Sequence, residues 1–144
     1  MPNDIQAIQD TIIQEFAAFD NWDARYEHII KMGKTLSPLP EEVMTEKYRV
    51  EGCQSQVWIK AKMGEDGLVH YQGSSDAIIV KGLVALVLRV YSDQSPKTVV
   101  ETAPRFMEEI GMSDHLSMTR RNGLAAMLKQ LKLYATVLML TQNP

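Results

Sequence analysis

The hydrophobic pattern of this chain changes period twice, and that limits the folds open to it. Ile5, Ile8, Ile12, Phe16 and Phe19 recur at helical spacing behind Asn3, which reads as the N-cap of a first helix. A turn at Asp20–Asp23 leads to a second helix over Trp22–Lys34, and Leu36-Ser37-Pro38-Leu39-Pro40 then enforces an extended linker. From there the period drops to two. Val57, Ile59, Ala61 and Met63 alternate with Gln56, Trp58, Lys60 and Lys62, the mark of a half-buried strand. Gly64-Glu65-Asp66-Gly67 is a turn, Leu68–Gln72 a returning strand, and Tyr48–Gly52 a first strand before both. The middle of the chain is therefore expected to be a small antiparallel meander of three strands.

The helical period then returns. Ser74-Ser75-Asp76 is a capping signal before Ala77–Tyr91, a segment apolar on nearly every side and so a central helix, although Gly82 weakens it. Ser95-Pro96 opens a short helix, and Gly111 closes another over Pro104–Ile110. Leu124, Leu128, Leu131, Ala135 and Leu138 mark a long C-terminal helix. Helices, then strands, then helices predict an α+β fold, with the sheet flanked by N-terminal and C-terminal helices in a single domain over 1–144.

Charge and composition remove several function classes. The 144 residues carry a net charge of -3, without the basic face that nucleic-acid binding demands. No stretch reads as a membrane-spanning helix; Ile78–Tyr91 is broken by Lys81 and Arg89. The sequence MPNDIQAIQD has the character of neither a secretory signal nor a transit peptide, so a cytoplasmic location is expected.

The chain has one cysteine. That excludes an internal disulfide, a CxxC redox couple and any zinc site with two thiolates. Cys53 sits in Val50-Glu51-Gly52-Cys53-Gln54-Ser55-Gln56-Val57-Trp58, just ahead of the alternating strand. Gly52 permits a sharp turn, and Gln54, Ser55 and Gln56 offer hydrogen-bond donors to a sulfur anion. His28, His70 and His115 fall on separate elements, with no spacing that ties them to Cys53 as a base or a metal set. One reaction needs a single thiol: accepting a sulfane sulfur from a partner's persulfide and passing it on. Arg120 and Arg121 open the last helix, where the helix dipole disfavours cations, so Arg120 is a candidate for thiolate stabilisation. Each of these residues also has a plainer reading. Free cysteines are commonly buried as small hydrophobes, the arginines suit a solvated surface, and Asp76 suits a helix cap.

The segment Glu51–Trp58 resembles the cysteine motif of the SufE family, sulfur-acceptor proteins of iron–sulfur cluster assembly. The resemblance extends to Ile30–Lys34 with Leu36–Pro40, to Ser75-Asp76-Ala77 with Ile79–Leu83, and to Leu116-Ser117, Arg120 and Asn122-Gly123-Leu124. Met118 departs from it, since relatives often carry proline there. The resemblance implies a short curved antiparallel sheet covered by helices, similar to IscU-type scaffolds. It implies that Cys53 receives sulfur from the persulfide of a PLP-dependent cysteine desulfurase, SufS-like or CsdA-like, and stimulates that enzyme. Gly52, Gln54, Ser55, Gln56, Asp76 and Arg120 would support the loop and the thiolate. The cysteine loop would be sheltered at rest and move to meet the desulfurase. A downstream iron–sulfur scaffold would take the sulfur, no cofactor would be bound by this chain, and a homodimer is compatible with its apolar content. The alternative is a non-catalytic regulatory module in which Cys53 is structural.

Overall fold

The computed structural model describes residues 4–142. Helix α1 (Ile5–Ala17) is capped by Asp4, whose carboxylate accepts from the Gln6 and Ala7 amides. Asn3, the expected cap, lies outside the described residues; Asp4 has the same capping chemistry one residue later. Asn21 caps α2 (Trp22–Gly33) by accepting from the Ala24 amide. Strands β1 (Val57–Met63) and β2 (Val69–Ser75) pair antiparallel, with Val57 opposite Ser75 and Met63 opposite Val69. Helices α3 (Ile78–Tyr91), α4 (Pro96–Glu101), α5 (Arg105–Ile110), α6 (Met112–His115) and α7 (Met118–Gln142) complete the described chain. The class is α+β, as the change of period requires.

The sheet has two strands rather than the expected three. Tyr48–Gly52 does not form a strand. Tyr48 ends a 3-10 turn over Glu46–Tyr48, and only Arg49 bridges to Trp58. The Val50 amide donates to the Val57 carbonyl at 2.8 Å, and pairing stops there. Gly52, at φ +92°, turns the chain away from β1 before a ladder can grow. Val50 is buried by this single contact and not by a strand.

Helix α3 is the centre of the molecule. Leu83, Val84, Leu86, Val87, Val90 and Tyr91 are fully buried, so its uniform apolar character reflects cover on all sides. Gly82 is the point where α3 crosses α2. A Cβ there would lie 2.1 Å from the Ile29 carbonyl oxygen, and one on Gly33 would lie 2.8 Å from the Gly82 amide nitrogen. The residue that weakens the helix by propensity is thus required by packing.

Helix α7 covers the sheet. Leu124, Met127, Leu128, Leu131 and Ala135 are buried along one face. The buried Tyr71 hydroxyl donates to the Leu131 carbonyl at 2.7 Å, and the Tyr134 hydroxyl donates to the Ile59 carbonyl at 2.9 Å. Contrary to the sequence reading, α7 over Met118–Thr141 is long and apolar enough, by length and composition, to cross a membrane. The reason is that the core stripe is joined by Leu133, Val137 and Leu140 on its exposed side. A core helix with such a second stripe passes the same test.

Candidate functional site

The Cys53 loop leaves the short bridge at Arg49 and returns to the sheet at Val57. Its first fixed point is Gly52. Besides its positive φ, a Cβ there would sit 3.3 Å from the Ala126 Cβ, so the loop lies directly on α7. Its second fixed point is Gln56, gripped on both backbone groups. The Gln56 amide donates to the Asp76 carboxylate at 3.0 Å, and the Gln56 carbonyl accepts from the Ser75 hydroxyl at 2.7 Å and the Asp76 amide at 3.2 Å. The end of β2 and the turn before α3 therefore pin the end of the cysteine loop.

This corrects the reading of Asp76 as a helix cap. Ala77 occupies the N-cap position of α3, with no side-chain cap. The Ser-Ser-Asp signature is spent on Gln56 instead. A carboxylate satisfies whichever orphan N–H tertiary structure brings to it, and the approach of the loop decides between them.

Between the two fixed points Cys53 is half-buried, Gln54 exposed and Ser55 half-buried. The Cys53 thiol donates to the Gly123 carbonyl at 3.4 Å. The approach does not depend on glycine at this position: a Cβ on Gly123 would be 3.6 Å from Sγ, an ordinary contact. Burial raises the Cys53 pKa above the ordinary thiol value, and the nearby Arg49 guanidinium opposes this more weakly. A carbonyl acceptor also favours the protonated sulfur, because a thiolate has no hydrogen to donate. The resting group is thus a thiol.

The sulfur faces a cleft of about 600 Å³. Cys53, Gln54 and Ser55 line one side, Ala77–Val80 and Leu83 of the α3 segment another, and Ser117, Thr119, Arg120, Gly123 and Met127 a third. Ser117 caps α7 by accepting from the Arg120 amide at 3.2 Å. Cys53, Gln54, Ser55 and Arg120 therefore meet in one cleft, while Gly52, Gln56 and Asp76 anchor the loop beside it. Arg49 escapes sequence reasoning. It influences Cys53 only because the chain doubles back at Gly52, and its place four residues ahead of the cysteine is the sole trace in the sequence.

The histidines lie elsewhere. His28 packs against Phe16 and Phe19, His70 bonds to Asp66 and Asp93, and His115 stacks on Trp22. None lines the cleft, so no imidazole is placed to activate Cys53. Among the described residues no group of three or more His, Cys, Asp or Glu side chains could hold a metal ion.

A family model described as SufE, Fe-S metabolism associated domain, matches residues 10–135. An uncharacterized SufE-like protein of Rhizobium meliloti (strain 1021) is 40% identical over 127 residues, covering 85% of this chain and 91% of that protein. The solution structure of a hypothetical protein from Thermus thermophilus superposes with a TM-score of 0.73 at 24% identity, over 90% of this chain and 93% of that one. That last likeness is one of fold.

Proposed function

The chain belongs to the SufE family, a family of iron–sulfur metabolism, and from that premise we propose that it is a sulfur carrier. In this reading Cys53 accepts sulfane sulfur from the persulfide of a PLP-dependent cysteine desulfurase of the SufS or CsdA kind. Acceptance stimulates the desulfurase, and the sulfur passes on to iron–sulfur cluster assembly. The PLP belongs to the partner. The setting is the cytoplasm, where a solitary thiol stays reduced.

The observation that carries this reading is the placement of the one thiol. It lies on a loop anchored at both ends and faces an open cleft, with no second thiol or imidazole to divert it into other chemistry. The step balances without an oxidant. Cys53 gives up its proton, and the thiolate attacks the outer sulfur of the donor persulfide. The donor's S–S bond breaks, and its electron pair leaves on the donor sulfur, which takes up the proton. Cys53 then carries the persulfide, and attack by the next acceptor's thiolate repeats the exchange.

Before attack the thiol has to leave the Gly123 carbonyl, which opposes ionisation. The hydrogen bond to that carbonyl is weak, whereas Gln56 is held by three bonds. Motion of the Cys53–Ser55 segment between fixed ends is therefore the cheapest way to expose the sulfur. Arg49 and Arg120 are the cations placed to favour the thiolate once it moves.

A second reading makes the chain a regulatory module with a structural Cys53, and the half-buried thiol bonded to Gly123 favours it. Substitution separates the two. In the carrier reading, Cys53→Ala abolishes both sulfur uptake and stimulation of the desulfurase. Full stimulation by Cys53→Ala would select the regulatory module.

A further inference from the structure

We propose that the outer edge of β2 at Tyr71–Gly73 is a second binding site, which takes an extended acidic segment of a partner protein as an added strand. Along a paired strand, backbone groups point alternately toward the neighbouring strand and away from it. Val69 points away from β1. Its carbonyl accepts from the Asp93 amide at 2.8 Å, and its amide donates to the Gln94 carbonyl at 2.7 Å. Tyr71 does the same, with its amide donating to the Ser92 hydroxyl at 2.9 Å. The alternation therefore turns the Tyr71 carbonyl and both backbone groups of Gly73 outward as well. Among the described residues no protein group bonds these three. Tyr71 and Gly73 are buried, and buried backbone groups are almost always paired, so the three call for a partner from outside the fold.

This edge opens into a cavity of about 660 Å³. Ala85 and Leu88 of α3 line it, as do Met32 of α2 and Leu36 and Leu39 of the linker that follows. It shares no lining residue with the Cys53 cleft. An edge buried inside such a cavity admits one extended chain, whereas the edge of a second folded sheet cannot reach it. The charges select the chain. Lys31, His28 and Arg89 line the cavity against one carboxylate, Glu15, which already accepts from Arg89 at 2.6 Å. Lys31 has no ion pair among the described residues. The lining is thus net positive and favours an acidic segment. Side chains alternate along an added strand, so their types follow from the register. The residue opposite Gly73 faces α3, since a Cβ on Gly73 would lie 2.9 Å from a Val84 methyl, and an apolar side chain suits it. Its neighbours face the other way, where carboxylates suit.

The test uses the full chain and three acetylated, amidated pentapeptides: one alternating valine with glutamate, one alternating valine with lysine, and the glutamate peptide N-methylated on alternate backbone amides. Nuclear magnetic resonance follows Gly73 through peptide titrations and hydrogen exchange. In the free protein the Gly73 amide should exchange faster than the Gln72 amide, which points toward β1. The glutamate peptide should shift Tyr71–Gly73 and slow Gly73 exchange. The lysine peptide should bind about tenfold more weakly or worse, and the N-methylated one should not protect Gly73. Lys31→Glu, at an exposed position, should keep the thermal midpoint and reverse the preference between the two charges. A Gly73 amide left unprotected by millimolar glutamate peptide overturns the proposal, and so does binding that survives N-methylation, which would be ionic adhesion without strand addition. Protection of Gly73 that grows with protein concentration in the absence of peptide would give the edge to a second copy and overturn it equally. Each of these failures leaves the carrier reading of Cys53 untouched.

Discussion

Two close approaches between backbone and neighbour organise this molecule, and they differ in how much room they leave. At the α2–α3 crossing, a Cβ on Gly82 would lie 2.1 Å from a carbonyl oxygen. Both partners are backbone within packed helices, so neither can yield. At the Cys53–α7 contact, a Cβ on Gly123 would lie 3.6 Å from Sγ, which is normal packing. The first contact is a locked joint in the core. The second is a light contact between a helix and a loop held only at its ends. The rigid joint fixes α3, Ser75 and Asp76 just ahead of α3 pin Gln56, and the stretch between the pins is left free to release its sulfur.

The largest effect should come from the joint. Gly82→Ala gains about 1 kcal/mol of helix propensity but forces two backbones apart, an overpacking cost of about 3 kcal/mol or more. A net loss of about 2 kcal/mol in urea denaturation is expected. A wild-type midpoint would mean that the helices separate freely, and the contrast would fail.

Next comes the pin. Asp76→Ala removes the acceptor of an exposed amide bond and should cost about 1 kcal/mol or less. Its sharper signature is local: the Gln56 amide should exchange with deuterium faster, while amides within α3 keep their protection. Unchanged exchange at Gln56 would show that Asp76 does not hold the loop.

Gly123→Ala should be the mildest change, and opposite in sign to Gly82→Ala. The Cβ fits against Sγ, and α7 gains up to about 1 kcal/mol of propensity. A loss of stability comparable to that of Gly82→Ala would make the two contacts alike.

Arg49→Gln addresses the charge on the loop and not the fold. Burial raises the Cys53 pKa and Arg49 partly offsets it, so removing the cation should move the pH midpoint of Cys53 alkylation upward. The sign for stability follows. A thiol with a folded-state pKa above its unfolded value binds its proton more tightly when folded. Its stabilising contribution is full below the unfolded pKa and fades as pH rises through the folded one. An alkylation midpoint that stays put or falls in Arg49→Gln would remove Arg49 from the site.

Much of this arrangement is legible in the sequence, and the exceptions share a cause. Helix α3 can be read because its apolar run is long and continuous, and Cys53 stands out because it is the only thiol, in a distinctive polar loop. Gly82 reads as a weakness because propensity concerns one helix, whereas its role belongs to two. Gly52 reads as a turn for the cysteine loop, and only the fold shows that this turn also ends the pairing of the expected third strand after Val50. Asp76 reads as a cap because the same carboxylate chemistry serves a helix start or a neighbouring loop, and only the tertiary approach of Gln56 chooses. Arg49 becomes visible only when the chain folds and brings its charge near Cys53.

The central claim is that Cys53 carries sulfur, and intact-mass spectrometry after incubation with a cysteine desulfurase and cysteine tests it most directly. Wild-type protein should gain the mass of one sulfur atom on Cys53, and Cys53→Ser should gain none and fail to stimulate the desulfurase. A wild-type protein that stays unmodified while still stimulating the enzyme would contradict it.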